Sequence, residues 1–101
     1  MPRDLIHPGE ILLEEFIKPY GLTPSSLAAR LGLAANRMKT IVNGERSISP
    51  ETAILLAEVF GTSREFWLNL QAHYDLEQAT AAIPAERMEQ ARTLHRELEA
   101  V

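Results

Sequence analysis

Basic side chains concentrate between residues 21 and 50. This segment holds four basic residues against the single acid Glu45, a local net charge of +3, whereas the whole chain carries -4. The four are Arg30, Arg37, Lys39 and Arg46. Residues 1–20 carry -2 and residues 51–101 carry -5. A basic segment on an acidic protein is the electrostatic footprint expected for nucleic-acid phosphates, although a solvated helix face would give the same count.

The same segment is typical of two short helices joined by a tight turn, over about residues 23–43. Thr23 can cap the first helix, with Pro24 at its first position. Gly32 can adopt the left-handed conformation that ends a helix, and Asn43-Gly44 ends the second one. Helices this close in sequence must cross steeply. The pattern therefore predicts a helix-turn-helix, whose second helix can enter the DNA major groove.

Two more helices flank this pair. The first opens at His7-Pro8 and stops before Pro19, and its apolar residues recur every three or four positions. The fourth runs from the capping pair Ser49-Pro50 to Gly61 at its C-cap. No segment shows the alternating pattern of a strand, so the sequence predicts an all-α fold.

The C-terminal part of the chain predicts two longer helices. Thr62 and Glu65 fit a capping box for the fifth helix, which can continue to about Ala82. Pro84 then opens a sixth helix with a thin apolar stripe, which should be stable only if it packs on something. We therefore expect one domain over residues 1–82 and a helical extension over residues 83–101.

Composition narrows the functional classes. The chain has no cysteine, which excludes disulfides and thiolate metal sites. Its first ten residues lack the apolar core of a signal peptide, and no apolar run approaches the ~20 residues that cross a bilayer. We expect a soluble, cytoplasmic protein without a membrane partner.

The three histidines do not suggest an enzyme. His7, His73 and His95 are dispersed, and each of the last two has a carboxylate two positions away, which is on another face of a helix. The sequence contains no His-Glu-x-x-His pattern, phosphate-binding glycine loop or nucleophile elbow. We expect no catalytic residues, no metal site and no cofactor.

Three segments of the chain form a distinctive combination: HPGEIL at 7–12, IVNGERSIS at 41–49, and FWLNLQ at 66–71 running on to Tyr74-Asp75-Leu76. Taken together, they resemble the HigA (also called VapI) antitoxin family of Xre-type, lambda-repressor-like proteins. The resemblance covers roughly residues 5–80. It implies a five-helix lambda-repressor-like DNA-binding domain, here followed by the sixth helix.

The resemblance also implies a function. Such a protein is a homodimer that binds double-stranded operator DNA near its own promoter and represses its own operon. It also neutralises a HigB-type toxin, a ribosome-dependent nuclease that cleaves mRNA. The antitoxin itself has no catalytic activity.

In Xre-like domains, residues at the start of the third helix face the base edges. The corresponding residues are Ala35, Asn36, Lys39 and Thr40. Asn36 can pair with adenine, worth about 1–3 kcal/mol of discrimination, and the Ala35 methyl can contact thymine. The expected phosphate contacts are Arg37, Arg46, Ser25, Ser26 and Asn43. Ala34 stands where the family usually has a small polar cap, so direct base readout should be sparse and DNA shape should contribute.

The fifth helix carries the residues expected at the dimer interface. They are Phe66, Trp67, Leu70 and Tyr74, with the sixth helix as an accessory surface. Aromatic residues at helical spacing belong more often to a core than to an interface, so the alternative is that Phe66 and Trp67 lie in the interior. A dimer would place two recognition helices on half-sites about 34 Å apart.

Two other functions fit the same sequence. A transcriptional regulator of the Xre type without a toxin partner would use identical DNA chemistry. A protein-interaction module that has lost DNA binding would explain the net acidity together with Ala34 and Ala35. Residues 84–101 can extend the dimer, contact the toxin, or do neither.

Overall fold

The computed structural model describes residues 5–101, all of whose regular structure is helical. Arg3 and Asp4, counted in the charge of residues 1–20, and the first residues of the segment compared with a signal peptide lie outside the described residues. The elements are α1 (Pro8–Ile11, continued by a π-helix over Leu12–Ile17), α2 (Pro24–Arg30), α3 (Arg37–Val42), α4 (Pro50–Phe60), α5 (Arg64–Ala82) and α6 (Ala85–Glu99). The prediction of an all-α fold is confirmed.

Most of the predicted helix ends are confirmed. Thr23 and Ser26 form a reciprocal capping box at α2, with each backbone N–H bonded to the other residue's hydroxyl at 2.9–3.0 Å. Ser49 caps α4 by accepting from the Thr52 N–H at 3.3 Å. Gly61 ends α4 in the left-handed conformation at φ 70°, where a Cβ would be strained.

The predicted capping box of α5 is wrong. The helix is capped by Ser63, whose hydroxyl accepts from the Phe66 N–H at 3.0 Å. Thr62 instead accepts from the indole N–H of Trp67 at 2.7 Å. A buried indole needs a hydrogen-bond partner, and Thr62 meets that need at the expense of the cap.

The start of α3 also differs from the expectation. We expected its cap at Ala34, but the regular helix begins at Arg37, and Asn36 holds the N-cap position without a side-chain hydrogen bond. The Arg37 N–H bonds to the Ala34 carbonyl at 2.9 Å, which closes a tight turn ahead of the helix. This turn accommodates the missing polar cap.

The core lies where α1 to α5 meet. Its centre is Trp67, which is fully buried and contacts the ring of Phe16 on α1 edge-on, with the centroids 4.8 Å apart. Met38 and Ile41 on α3 are also fully buried. Because these two residues fix the inner face of α3, its opposite face is turned to solvent.

The chain from residue 75 onward is exposed and projects from this core. No residue of α6 is buried, and the Cα radius of gyration is 18.0 Å against about 13 Å for a compact domain of this size. Ion pairs within α6 connect its own side chains, such as the one between Arg96 Nη2 and Glu89 Oε1 at 3.1 Å. The division into residues 1–82 and 83–101 stays a prediction. Within residues 5–101, none of the helices has the length and apolarity needed to span a bilayer.

Candidate nucleic-acid interface

The outer face of α3 is the centre of the candidate site. Ala35, Asn36 and Lys39 are exposed, whereas Met38 between them is fully buried. Thr40 is half-buried, and its hydroxyl donates to the backbone carbonyls of Asn36 and Arg37, both at 3.0 Å. The structure thus exposes Ala35, Asn36 and Lys39 at and just before the first turn of α3, whereas the hydroxyl proton of half-buried Thr40 is engaged by the backbone.

The expected phosphate contacts divide into available and engaged groups. Ser25 at the start of α2 is exposed, as are Asn43 and Arg46 beyond α3. The hydroxyl of Ser26, in contrast, accepts from Thr23 N and donates to Thr23 O at 2.9 and 3.0 Å. Ser26 therefore acts as part of the α2 cap.

Arg37 links α3 to the beginning of α4. Its Nη1 lies 3.5 Å from the Thr52 hydroxyl and 3.6 Å from Glu51 Oε1, and the side chain is only 26% exposed. Its Nε is buried and has no hydrogen-bond partner among residues 5–101. Arg37 is thus more constrained than the freely solvated helix-face residue that the charge pattern alone allowed.

A cleft of about 410 Å³ opens between α3 and the start of α4. Six residues line it: Arg37, Arg46, Ser47, Ser49, Glu51 and Thr52. The sequence predicts phosphate contacts for the two arginines, but no motif in it places Glu51 and Thr52 beside them. Their proximity depends on the conformation of the α3–α4 loop.

The loop that carries Arg46 is held by α5. Buried Gln71 accepts from the Ile48 N–H at 2.8 Å and donates to Asp75 at 3.0 Å. Gln71 belongs to the FWLNLQ segment, from which the sequence predicts no role for it. A polar residue at an inward position of an amphipathic helix was the signal that could have identified it.

The HPGE segment supports α3 from the other side. His7 caps α1 through Nδ1, which accepts from the Gly9 N–H at 2.9 Å, and its ring meets Tyr74 edge-on at 4.9 Å. Burial of the imidazole lowers the pKa of His7 from its usual 6.5, and the charge of Asp75 opposes that shift.

Within the described part of the chain, no three His, Asp or Glu side chains gather into a possible metal site.

The residues expected at the dimer interface do not all reach the surface. Trp67 is fully buried, which agrees with the alternative that it belongs to the core. Phe66 is half-buried against Phe16 and Trp67, with centroids 6.0 and 4.9 Å away. Leu70 and Tyr74 are half-buried and line a groove of about 350 Å³ between α5 and the N-terminal end of α1.

Known proteins share both this sequence and this arrangement. A sequence model of the helix-turn-helix family matches residues 13–67. Virulence-associated protein I of Dichelobacter nodosus is 46% identical over 74 residues, which are 73% of this chain and 68% of that protein. Antitoxin HigA-1 of Vibrio cholerae is 41% identical over 68 residues, 67% of this chain and 64% of that protein. The chain thus spans about two thirds of these curated relatives.

Two solved structures are also similar. The structure of PA4674 of Pseudomonas aeruginosa in complex with an 18-bp operator DNA gives a TM-score of 0.81 at 39% identity, covering 88% of this chain and 96% of that one. The Pseudomonas aeruginosa antitoxin HigA with the higBA promoter gives 0.76 at 44% identity, covering 78% and 86%. The chain belongs to the HigA/VapI antitoxin family of Xre-type helix-turn-helix proteins.

Proposed function

We propose that this protein is the antitoxin of a type II toxin–antitoxin system. It binds its operator as a homodimer, represses its own operon and neutralises a HigB-type mRNA-cleaving toxin. The observation that carries the proposal is the exposed polar face of α3, held on a HigA-type frame by buried Met38 and Ile41. The similar solved structures with operator and promoter DNA support DNA binding by this fold.

On DNA, Asn36 and Lys39 supply the polar base contacts and Ala35 supplies an apolar one. All three are exposed at the beginning of α3, where a recognition helix meets base edges. Thr40 contributes an acceptor. Arg37, Arg46, Ser25 and Asn43 contact phosphates and set the position of the protein on the duplex.

Dimerisation follows from how little surface a single recognition helix offers. Phe66, Leu70 and Tyr74 form the proposed contact surface on α5, next to exposed Leu5 and Ile6 across the groove. The exposed apolar residues of α6, among them Leu94 and Leu98, add the accessory surface. Two partners related by a two-fold axis would present their α3 helices about 34 Å apart.

The proposed role is binding without catalysis. The protein acts in the cytoplasm, where its operator and the ribosome-dependent toxin are found. Residues 83–101 form an extension beyond the DNA-binding domain over residues 1–82. On exposed α6, His95 Nε2 lies 3.7 Å from the Glu99 carboxylate of the same helix.

The decisive experiment uses the gene next to this one. The chain is co-expressed with that neighbour, and the purified product is tested on the DNA upstream of the operon by electrophoretic mobility shift. A stable complex that shifts this DNA, together with relief of the neighbour's toxicity, is the expected result. DNA binding without a toxic neighbour would identify an Xre-type regulator instead, and the absence of a shift at low salt would identify an interaction module.

A further inference from the structure

The cleft between α3 and α4 combines two cations with one competing anion. Arg37 and Arg46 line it together with Glu51, and Ser47 and Ser49 add polar atoms. Arg37 follows Asn36 directly at the start of α3, so the cleft adjoins the exposed face of that helix. Its position and charge suit an anion carried by the same DNA that α3 contacts.

The guanidinium of Arg37 is incompletely satisfied within the protein. Charge-assisted N–H···O contacts are typically about 2.7–2.9 Å long. The contacts of Nη1 with Thr52 and Glu51 measure 3.5 and 3.6 Å, and the buried Nε has no partner among residues 5–101. A planar guanidinium in this state is suited to donate hydrogen bonds to the two oxygens of a phosphodiester in place of one distant carboxylate.

Glu51 holds its position in the cleft only weakly. Its side chain is 70% exposed, and an ion pair in contact with solvent contributes little free energy. Rotation of the carboxylate into solvent would release Arg37, whereas a carboxylate left in place would repel an incoming phosphate. Glu51 also lies in the first turn of α4, where the helix dipole stabilises its negative charge. A role in helix stability must therefore be separated from competition with phosphate.

We infer that this cleft is a binding site for one DNA phosphodiester, and that Glu51 acts as an internal competitor that lowers the affinity of the protein for DNA. The inference rests on the proposed DNA-binding function and specifies an element of it. Because phosphates carry no sequence information, Glu51 sets the affinity for all DNA equally and leaves the preference for the operator unchanged.

The test compares two substitutions on the same helix. Glu51→Gln and Glu58→Gln each remove one negative charge from α4, but Glu58 is exposed outside the cleft. Dissociation constants are measured by fluorescence anisotropy on the upstream operator duplex and on an unrelated duplex of equal length. We expect Glu51→Gln to bind both duplexes roughly two- to fivefold more tightly than Glu58→Gln, the range typical of an exposed ion pair.

A double variant locates the effect. The gain from Glu51→Gln should disappear when Arg37→Ala is also present, because Arg37 is the arginine of the cleft that lies within ion-pair distance of Glu51. Thermal melting of each variant checks that the helical fold is kept. Equal binding by Glu51→Gln and Glu58→Gln, weaker binding by Glu51→Gln, or a gain that persists with Arg37→Ala would each overturn the inference.

The outcome for the unsubstituted protein separates this inference from the proposed function. Equal affinity of the unsubstituted protein for both duplexes would refute sequence-specific operator recognition, while the comparison of Glu51→Gln with Glu58→Gln would still decide the role of Glu51. Absence of binding to either duplex at low salt would refute both.

Discussion

Gly9 on α1 lies directly against the backbone of Ile41 on α3. A Cβ at position 9 would overlap the Ile41 carbonyl and would lie 2.8 Å from the Val42 Cα. The Gly9 of the HPGE segment is therefore required by a close approach of two helix backbones. This contact fixes the C-terminal half of the recognition helix from behind.

Replacing Gly9 by alanine should destabilise the protein by about 1–3 kcal/mol or more, because neither backbone can easily move aside. Thermal unfolding followed by circular dichroism measures the loss. Gly21→Ala adds a methyl group in open space, so its loss of stability reports only the strain of an L side chain at φ 72°. Gly9 lies in a helix and has no positive φ, so unchanged or higher stability of Gly9→Ala would contradict the helix contact.

His7 should make the fold sensitive to mild acid. Because burial lowers its pKa below 6.5, the unfolded chain takes up the proton first as pH falls. The stabilisation is thus fully present above pH 6.5 and decreases as the pH falls from there through the folded-state pKa. Protonation would also remove the Nδ1 acceptor that caps α1.

Urea unfolding between pH 7.5 and 5.5 measures this dependence. His7→Asn keeps a capping acceptor but does not titrate, so its stability should change less over this interval. His95→Asn on exposed α6 should behave like the unsubstituted protein. A pH dependence that survives in His7→Asn would assign it to other groups.

Gln71 should matter for both stability and DNA binding. Substitution by leucine leaves the Ile48 N–H buried without its 2.8 Å partner, which typically costs about 1–3 kcal/mol. The loop carrying Arg46 would lose its link to α5, and operator affinity should fall as well. Gln78→Leu is the control, because Gln78 is exposed on the same helix. Chemical denaturation and anisotropy titration report the two effects, and equal behaviour of the two variants would argue against this role.

Asn36 and Arg46 should affect DNA binding in different ways. Asn36→Ala should lower affinity for the operator by about 1–3 kcal/mol and reduce the preference over unrelated DNA. Arg46→Ala should weaken binding to all sequences and make the slope of log affinity against log salt shallower by about one. Titrations at several salt concentrations on both duplexes distinguish them. Identical profiles for the two variants would contradict the division into base and phosphate contacts.

Local patterns predicted most of the helix boundaries. Thr23, Ser49 and Gly61 act through neighbours in sequence, and the structure confirms all three. The errors arose where a distant or bulky group competed. The indole N–H of Trp67 donates to the Thr62 hydroxyl, and Ser63 caps α5 instead of Thr62.

The candidate site was only partly predictable for the same reason. The amide and basic residues of α3 follow from composition and spacing, and the structure places Asn36 and Lys39 on its exposed face. The contacts that shape the cleft join residues far apart in sequence, such as Gln71 with Ile48. No periodicity or capping rule encodes such pairs, because they depend on how the loops close.

The π-helical segment of α1 changes the angular relation between the two ends of that helix. Leu12 and Ile17, five residues apart, would lie well away from each other around an ordinary helix, yet both are fully buried. The wider turn, with Lys18 N bonded to Leu13 O at 3.0 Å, changes the direction around the helix axis in which the aromatic end of α1 faces relative to its HPGE end. As a result, Gly9 packs against α3 and Phe16 packs against Trp67 from the same helix. Deleting one residue from this turn would act as a rotation of one contact relative to the other, more than as a shortening of the helix.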